Sequence, residues 1–221
     1  MNLDFTQITP YIPFMLEGIW VTLKFVAVAL IVGFILGTIL ALFKISHIKP
    51  LNWFARAYTS IFRGTPLILQ LMTFYFAVPQ LTGYDISPFL SAVLAFGLNS
   101  AAYISEIIRA GIQAVDRGQT EAAMALGVPY RQMMKDIILP QAMKNILPAL
   151  MNEVITLTKE SALVSTISVL DLMRRAQVVG ADIYRNFEPL LFVGFIYWIM
   201  VVGLSTIGRM IERRLKVSDQ N

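Results

Sequence analysis

The chain has no cysteine, a single histidine, and charged side chains at only 14% of its 221 positions. Without cysteine there is no disulfide, no thiolate metal site and no cysteine nucleophile, although compartment is left open. His47 stands between Lys44 and Lys49 in what reads as a short polar loop, so a solvated interfacial side chain is expected rather than a ligand. There is no glycine-framed serine, no histidine within an apolar stretch and no paired metal ligand set. Ser105 with Glu106, or Lys159 with Ser161, nominally pairs a nucleophile with a base, but these absences weigh against an intramembrane enzyme. A phosphate loop of the form G-x-x-x-x-G-K-S/T is also missing, so this chain is not expected to bind ATP itself. No Lys or Arg precedes the first apolar stretch and no small-residue cleavage site follows it. The first hydrophobic helix is therefore expected to be retained rather than removed as a signal peptide.

What is present is apolar surface in excess: 57% of residues are hydrophobic and the mean hydropathy is +0.66, well beyond an average soluble domain. These residues fall into blocks at 18–43, 65–81, 88–108 and 189–211, each near the roughly 20 helical residues that cross a hydrocarbon core. A fifth block, 145–170, contains Glu153, Lys159 and Glu160. Each such charge costs about 2.5 to 3.5 kcal/mol at mid-bilayer on insertion scales, so hydropathy alone argues against it. The basic residues argue for it. With five spans and the N-terminus outside, Lys44, Lys49, Arg56 and Arg63, then Arg109, Arg117, Arg131, Lys135 and Lys144, then Arg209, Arg213, Arg214 and Lys216 all fall inside. Outside are only Arg174, Arg175 and Arg185, while Lys24 and Lys159 lie within spans. Four spans would reverse that bias. The net charge of +4 and pI near 9.4 follow the inner loops, which disfavours nucleic-acid binding. The expected fold class is an all-α integral membrane protein, a single domain over 1–221, with five transmembrane helices, N-terminus outside and C-terminus cytoplasmic.

The most informative segment is the polar insert 113–140 between the third and fourth spans. Asp116 with Gln119 has the form of a capping box, so a helix is expected to begin near Gly118 and to end at Leu126. Gly127 suits the left-handed position past its C-terminus, and Pro129 follows as the expected first residue of a second helix. On that helix Met133, Met134, Ile137 and Ile138 form an apolar stripe opposite Arg131, Gln132, Lys135 and Asp136, and Leu139-Pro140 is expected to end it. Ala122, Ala123 and Ala125 leave the first helix with little bulk beside the charge of Glu121. That composition suits either a peg for another protein's socket or simply a good helix former in a connecting loop.

Ionisable and amide groups inside apolar stretches mark paths or wet cavities. Glu153, Thr156 and Glu160, at i, i+3 and i+7, share one helix face, Asn99 lies mid-stretch on the third span, and Gln70 lies at depth on the second. Glu106 and Arg109 can pair at i, i+3. Glu153 with Asn99, Gln70 and Thr156 forms the candidate substrate pocket, where a carboxylate favours a cationic group. Pairing of Glu153 with Lys159 or an arginine is the alternative. Lys159 and Glu160 are assigned to helix packing or gating, and residues 63–66 to a basic anchor at the start of the second span. Residues 171–188 read as an external loop or short surface helix.

E121-A-A-x-x-x-G127, nine residues, then I137-x-L139-P140 resembles the cytoplasmic EAA loop of permease subunits in binding-protein-dependent ABC importers. Residues 62–71 (FRGTPLILQL), 103–115 (YISEIIRAGIQAV) and 139–163 resemble the polar amino acid branch of that family, so the resemblance covers essentially the whole chain. It implies a non-catalytic subunit that forms the translocation path with a second permease chain, identical or a close paralogue, in the inner membrane of a bacterium. It also implies two copies of an ABC ATPase that bind ATP and Mg, and an extracytoplasmic binding protein that delivers a polar amino acid. Glu121, Ala122, Ala123 and Gly127 would form the coupling helix and its turn. Arginine, lysine or histidine is the expected cargo, with glutamine or glutamate as the alternative. A passive channel or scaffold is the remaining class, since the polarity pattern by itself does not demand coupling.

Overall fold

The computed structural model describes residues 3–217, and every element among them is helical. A 3-10 turn, Phe5–Tyr11, leads into α1 (Ile12–Ile45), followed by α2 (Lys49–Gly64), α3 (Leu67–Thr82) and α4 (Pro88–Gln113). Then come α5 (Arg117–Ala125), α6 (Tyr130–Met133), α7 (Leu139–Glu160), α8 (Leu172–Asp182) and α9 (Phe187–Val217). The tail from 218 onward, and the side chain of Lys216 counted above, lie outside the described residues.

The centre of the bundle is the pairing of α1 with α4. Lipid offers apolar side chains nearly as much as a protein interior does, so helices in a bilayer associate through close packing of small residues. Gly33, Gly37 and Gly97 provide it: a Cβ built on any of them would lie 2.8–2.9 Å from an atom of the facing helix. Phe25 of α1 and Phe96 of α4 then meet edge to face at 4.9 Å, inside a cluster completed by Ala29, Leu71, Ala92 and Val164.

Among the described residues, three helices are long and apolar enough to cross a membrane alone: Phe5–Ile45, Pro88–Gln113 and Phe187–Leu215. The block expected at 65–81 is different. α2 and α3 together meet the same test, but as a pair bent by 101°. Successive contacts trace α2 back along its neighbours: Asn52 Nδ2 donates to Lys44 O, Ala55 packs on Leu40 and Ala101, and Tyr58 OH donates to Leu98 O. Residues 63–66, expected at the start of a span, are instead the break between the two helices of this bent pair. Thr65 is extended, as the residue before a proline is driven to be, and Pro66 opens the next helix as its N-cap.

The block 145–170 is α7 from its second turn plus a 3-10 stretch, Ser161–Ile167; it is not among the helices that are apolar enough to cross a membrane. Nor does Pro140 end a helix. α6 runs into α7 through a π turn, Met134–Ile138, in which Leu139 N–H donates to Met134 O, five residues back. The wider turn absorbs the carbonyl that a proline would strand. Pro79 repeats the arrangement two residues after the end of the π turn Thr73–Ala77, where Val78 N–H donates to Thr73 O.

Residues 171–188 are more than a surface loop. Leu172, Ala176 and Val179 on α8 are buried against Met15 of α1 and Val193 of α9. Arg175 stacks on the ring of Phe14 and donates to Phe14 O and Glu17 Oε2, both at 2.7 Å. The spacing i, i+4, i+7 was visible in the sequence but is interrupted by Arg174 and Arg175.

Candidate functional site

A break between α2 and α3 strands the last carbonyls of α2 among apolar helices, where a polar group without a partner is costly. Thr65 Oγ1 donates to Ile61 O at 2.9 Å, and two further side chains serve Phe62 O and Thr65 O. Gln70 Nε2 donates to Phe62 O at 2.9 Å, to Thr65 O at 3.2 Å and to Thr65 Oγ1 at 2.8 Å. Asn99 Nδ2, arriving from α4, donates to the same Phe62 O at 2.9 Å and to Gln70 Oε1 at 3.0 Å. The two amides thus hold each other and the break together.

Against this break lies a cavity of about 260 Å³ lined by Asn99, Glu153 and Thr156, together with Thr65, Pro66, Leu67, Phe96, Tyr103, Leu157 and Glu160. Three of the four side chains singled out for a pocket therefore converge. Gln70 does not line the cavity and stands behind it. The shared face of Glu153, Thr156 and Glu160 is realised, and it brings in Glu160, expected in helix packing or gating. Glu153 Oε1 accepts from Ser100 Oγ at 2.8 Å and, among the described residues, forms no ion pair with Lys159 or an arginine. Two carboxylates thus face one cavity that no basic residue lines.

At one end of α4 the pairing of Glu106 with Arg109 is present at 2.6 Å, but the other oxygen of Glu106 holds Lys44 at 2.7 Å. Lys44 was read as part of the polar loop beside His47. It is buried, and it also donates to Ser105 Oγ at 2.7 Å. Its partners lie about sixty residues away in the chain, which is why local pattern missed them.

The insert is built as a rigid hook. Asp116 caps α5 through Oδ1, which accepts Gly118 N–H at 2.6 Å, so the helix starts at Arg117. The reciprocal half of the box does not form, since Gln119 Oε1 accepts from Gln141 Nε2 at 3.4 Å. At the other end Gly127 adopts φ +70°, Gly127 N–H donates to Met124 O, and Val128 N–H donates to Ala123 O, both at 3.0 Å. This is the paired hydrogen bonding of a Schellman motif. Pro129 is the N-cap of α6 rather than its first residue, so that helix begins one residue later than expected. Ala123 turns inward against Met133 and Ile138, whereas Glu121 and Ala122 are exposed. Met124 and Leu126, which sequence reasoning passed over, are 59% and 82% exposed beside them.

The paired amides yield a direct expectation. Gln70→Leu and Asn99→Leu each strand the other's amide and part of the carbonyl set, costing about 1–3 kcal/mol apiece. The double variant should cost less than the sum, with a coupling of about 0.5 kcal/mol or more. Thermal unfolding of the purified protein measures this, and strict additivity would mean that the two side chains act independently.

Residues 5–217 match the family described as binding-protein-dependent transport system inner membrane component. The arginine transport system permease protein ArtQ of Bacillus subtilis is 59% identical over 219 residues, covering 99% of this chain and all of that protein. A putative glutamine transport system permease protein of Rickettsia bellii is 50% identical over 96% of this chain and 97% of its own length. The glutamate/aspartate import permease protein GltK of Escherichia coli is 39% identical over 96% of this chain and 97% of its own length. In structure, the chain is similar to a crystal structure of an amino acid ABC transporter with histidines, with TM-score 0.93 and 44% identity over 97% of this chain and all of the other. With the match spanning nearly its whole length, this chain belongs to the family of inner membrane components of binding-protein-dependent transport systems.

Proposed function

We propose that the chain is the permease subunit of an ATP-driven amino acid importer in a bacterial cell membrane, and that its cargo is a basic amino acid. The observation that carries the cargo assignment is the acidic cavity: Glu153 and Glu160 face it, and no Lys, Arg or His lines it. Carboxylates in low dielectric gain most from a cation that completes their partnership, and arginine, lysine or histidine supplies one. Asn99 and Thr156 add neutral hydrogen-bonding groups at the same wall. The relative named for arginine has the highest identity of the three described above, at 59%. Glutamine is the second reading, favoured by the relative named for that cargo at 50% identity.

In this reading the bundle crosses the bilayer five times, with the broken pair α2–α3 as the second span and α7 with its 3-10 extension as the fourth. The N-terminus is outside, and the α5 hook hangs in the cytoplasm over 113–140. Two ABC ATPase subunits bind ATP and Mg, a second permease chain completes the path, and an extracytoplasmic binding protein delivers the amino acid. Glu121 and Ala122 with the exposed Met124 and Leu126 form the face that meets an ATPase. Ala123 and Gly127 set that face rather than touch it, Ala123 by packing on α6 and the π turn and Gly127 by closing the turn. Gly127 has open space around the position of a Cβ, so a larger residue there acts through backbone strain alone.

Three outcomes are expected. Glu153→Gln in the reconstituted assembly should lower arginine uptake relative to glutamine uptake by about tenfold, the equivalent of about 1.4 kcal/mol; unchanged selectivity would remove Glu153 from cargo recognition. Gly127→Leu forces a branched residue into the left-handed region at a cost of about 1–2 kcal/mol. Substrate-stimulated ATPase activity should fall sharply while membrane insertion persists, and a normal response would detach this turn from coupling. A single thiol introduced by Met124→Cys should react with a membrane-impermeant maleimide in inverted vesicles and not in intact cells. Labelling of intact cells would reverse the orientation.

A further inference from the structure

Asn99, Tyr103, Glu106 and Gln113 line one face of α4, and three cavities follow one another along it. The acidic cavity shares the wall of Tyr103 with a second cavity of about 460 Å³, to which Arg56, Thr59, Ser60 and Arg63 contribute. That one shares Arg56 and Glu106 with a third of about 360 Å³ that reaches Lys44, Arg109 and Gln113. The charge changes sign along the file. Glu106 is the acid of the second and third cavities, and it is already bridged on both oxygens, by Lys44 at 2.7 Å and by Arg109 at 2.6 Å. Arg56 and Arg63 form no ion pair among the described residues, so the second cavity presents two guanidinium groups without an ion-pair partner directly beyond the two carboxylates of the first.

Arg63 is placed to use its charge. It sits in the last turn of α2, where the helix dipole favours a cation, immediately before the break at Gly64–Pro66. Its guanidinium lies over the ring of Tyr103 at 5.1 Å from the centroid, the ring that walls both cavities. Stacking occupies the face of a guanidinium and leaves its in-plane N–H donors free, the fork that matches a carboxylate.

We propose that Arg63, backed by Arg56, is the carboxylate-reading station of the path, so that a basic amino acid is held with its cationic group between Glu153 and Glu160 and its α-carboxylate on the Arg63 fork. The inference rests on the reading of the acidic cavity as the cargo site and adds the second pole of the cargo to it. A zwitterion with an extra cationic group meets complementary charge at both ends, whereas a cation without a carboxylate meets it at one.

The test compares L-arginine with agmatine, which is arginine lacking the carboxylate, for binding to the permease–ATPase complex in the absence of binding protein, by titration calorimetry. The wild-type complex should bind arginine more tightly than agmatine. Arg63→Gln should weaken arginine by about tenfold or more, the loss that one charge-assisted hydrogen bond accounts for, and leave agmatine within about twofold, which also shows that the variant is folded. Arg63→Lys should recover part of the arginine affinity. Equal weakening of both ligands, no weakening of either, or equal wild-type affinity for the two overturns the proposal. Glu153→Gln separates the two readings: if it changes neither ligand while Arg63→Gln still discriminates, the acidic cavity assignment fails and the carboxylate station stands. Repeating the titrations in phosphatidylcholine nanodiscs with and without phosphatidylglycerol supplies the last arm. An Arg63→Gln effect seen only with the anionic lipid assigns the guanidinium groups to lipid phosphate and overturns the proposal.

Discussion

The fold turns on an interrupted backbone inside an apolar bundle. In hydrocarbon or among packed apolar helices no water is available to satisfy a carbonyl released by the end of a helix. The gap at Thr65 and Pro66 therefore persists only because Gln70 and Asn99 supply donors to Phe62 O and Thr65 O. Those two amides commit α4 to α2, fix the angle at which α3 departs, and leave beside the break a space that helices running straight would have filled. The acidic cavity is that space. Interrupted helix pairs of this kind are tolerated where the irregular backbone is buried in protein or lines a cavity, and here it does both.

This constraint also decides what the sequence could disclose. The long helices α1, α4 and α9 were legible because an uninterrupted apolar block of the right length has few alternatives, and the turn at Gly127 was legible because a glycine followed two residues later by proline is a strong local signal. The common face of Glu153, Thr156 and Glu160 followed from helical spacing alone. The break was not legible, because hydropathy reports composition and not direction, and α2 carries Arg56 and Arg63 on a helix that otherwise resembles an interfacial one. Gln70 illustrates the same limit. An amide at depth looks identical in sequence whether it faces a ligand or, as here, a neighbouring amide and two carbonyls. Lys44 was misplaced because its compensation comes from Ser105 and Glu106 on another helix, and no window along the chain contains both sides of that arrangement.

Pro140 shows how a sound local rule is overridden. A proline inside a helix lacks the N–H for its own bond and clashes with the carbonyl four residues before it, so a helix end at Leu139-Pro140 was the natural expectation. The chain instead widens to i→i−5 bonding over Met134–Ile138 and continues. The same solution recurs at Pro79, and in both places the widened turn ends two residues before the proline. Each π turn keeps a helix running where a stop would have left stranded backbone groups.

Continuity through the second of these turns has a mechanical consequence for the proposed coupling. Because α6 does not end at Pro140, residues 130–160 form one helical rod from the α5 hook to the acidic cavity. At about 1.5 Å per residue, Tyr130 and Glu153 are some 35 Å apart along that rod. α5 is tied to its near end by Ala123 against Met133 and Ile138, and Ile138 belongs to the π turn itself. A displacement imposed on the exposed face of α5 is therefore delivered to the rod at its most weakly bonded turn, while the far end carries Glu153, Thr156 and Glu160 as a unit. Had Pro140 ended the helix, the hook and the cavity would be joined by a flexible connection that dissipates motion. With the π turn in place, tilting the hook either bends the rod, at Met134–Ile138 or at Pro148 inside α7, or moves the carboxylates, and the close packing of Gly111 of α4 on Ile146 of α7, two residues before Pro148, opposes the bend there.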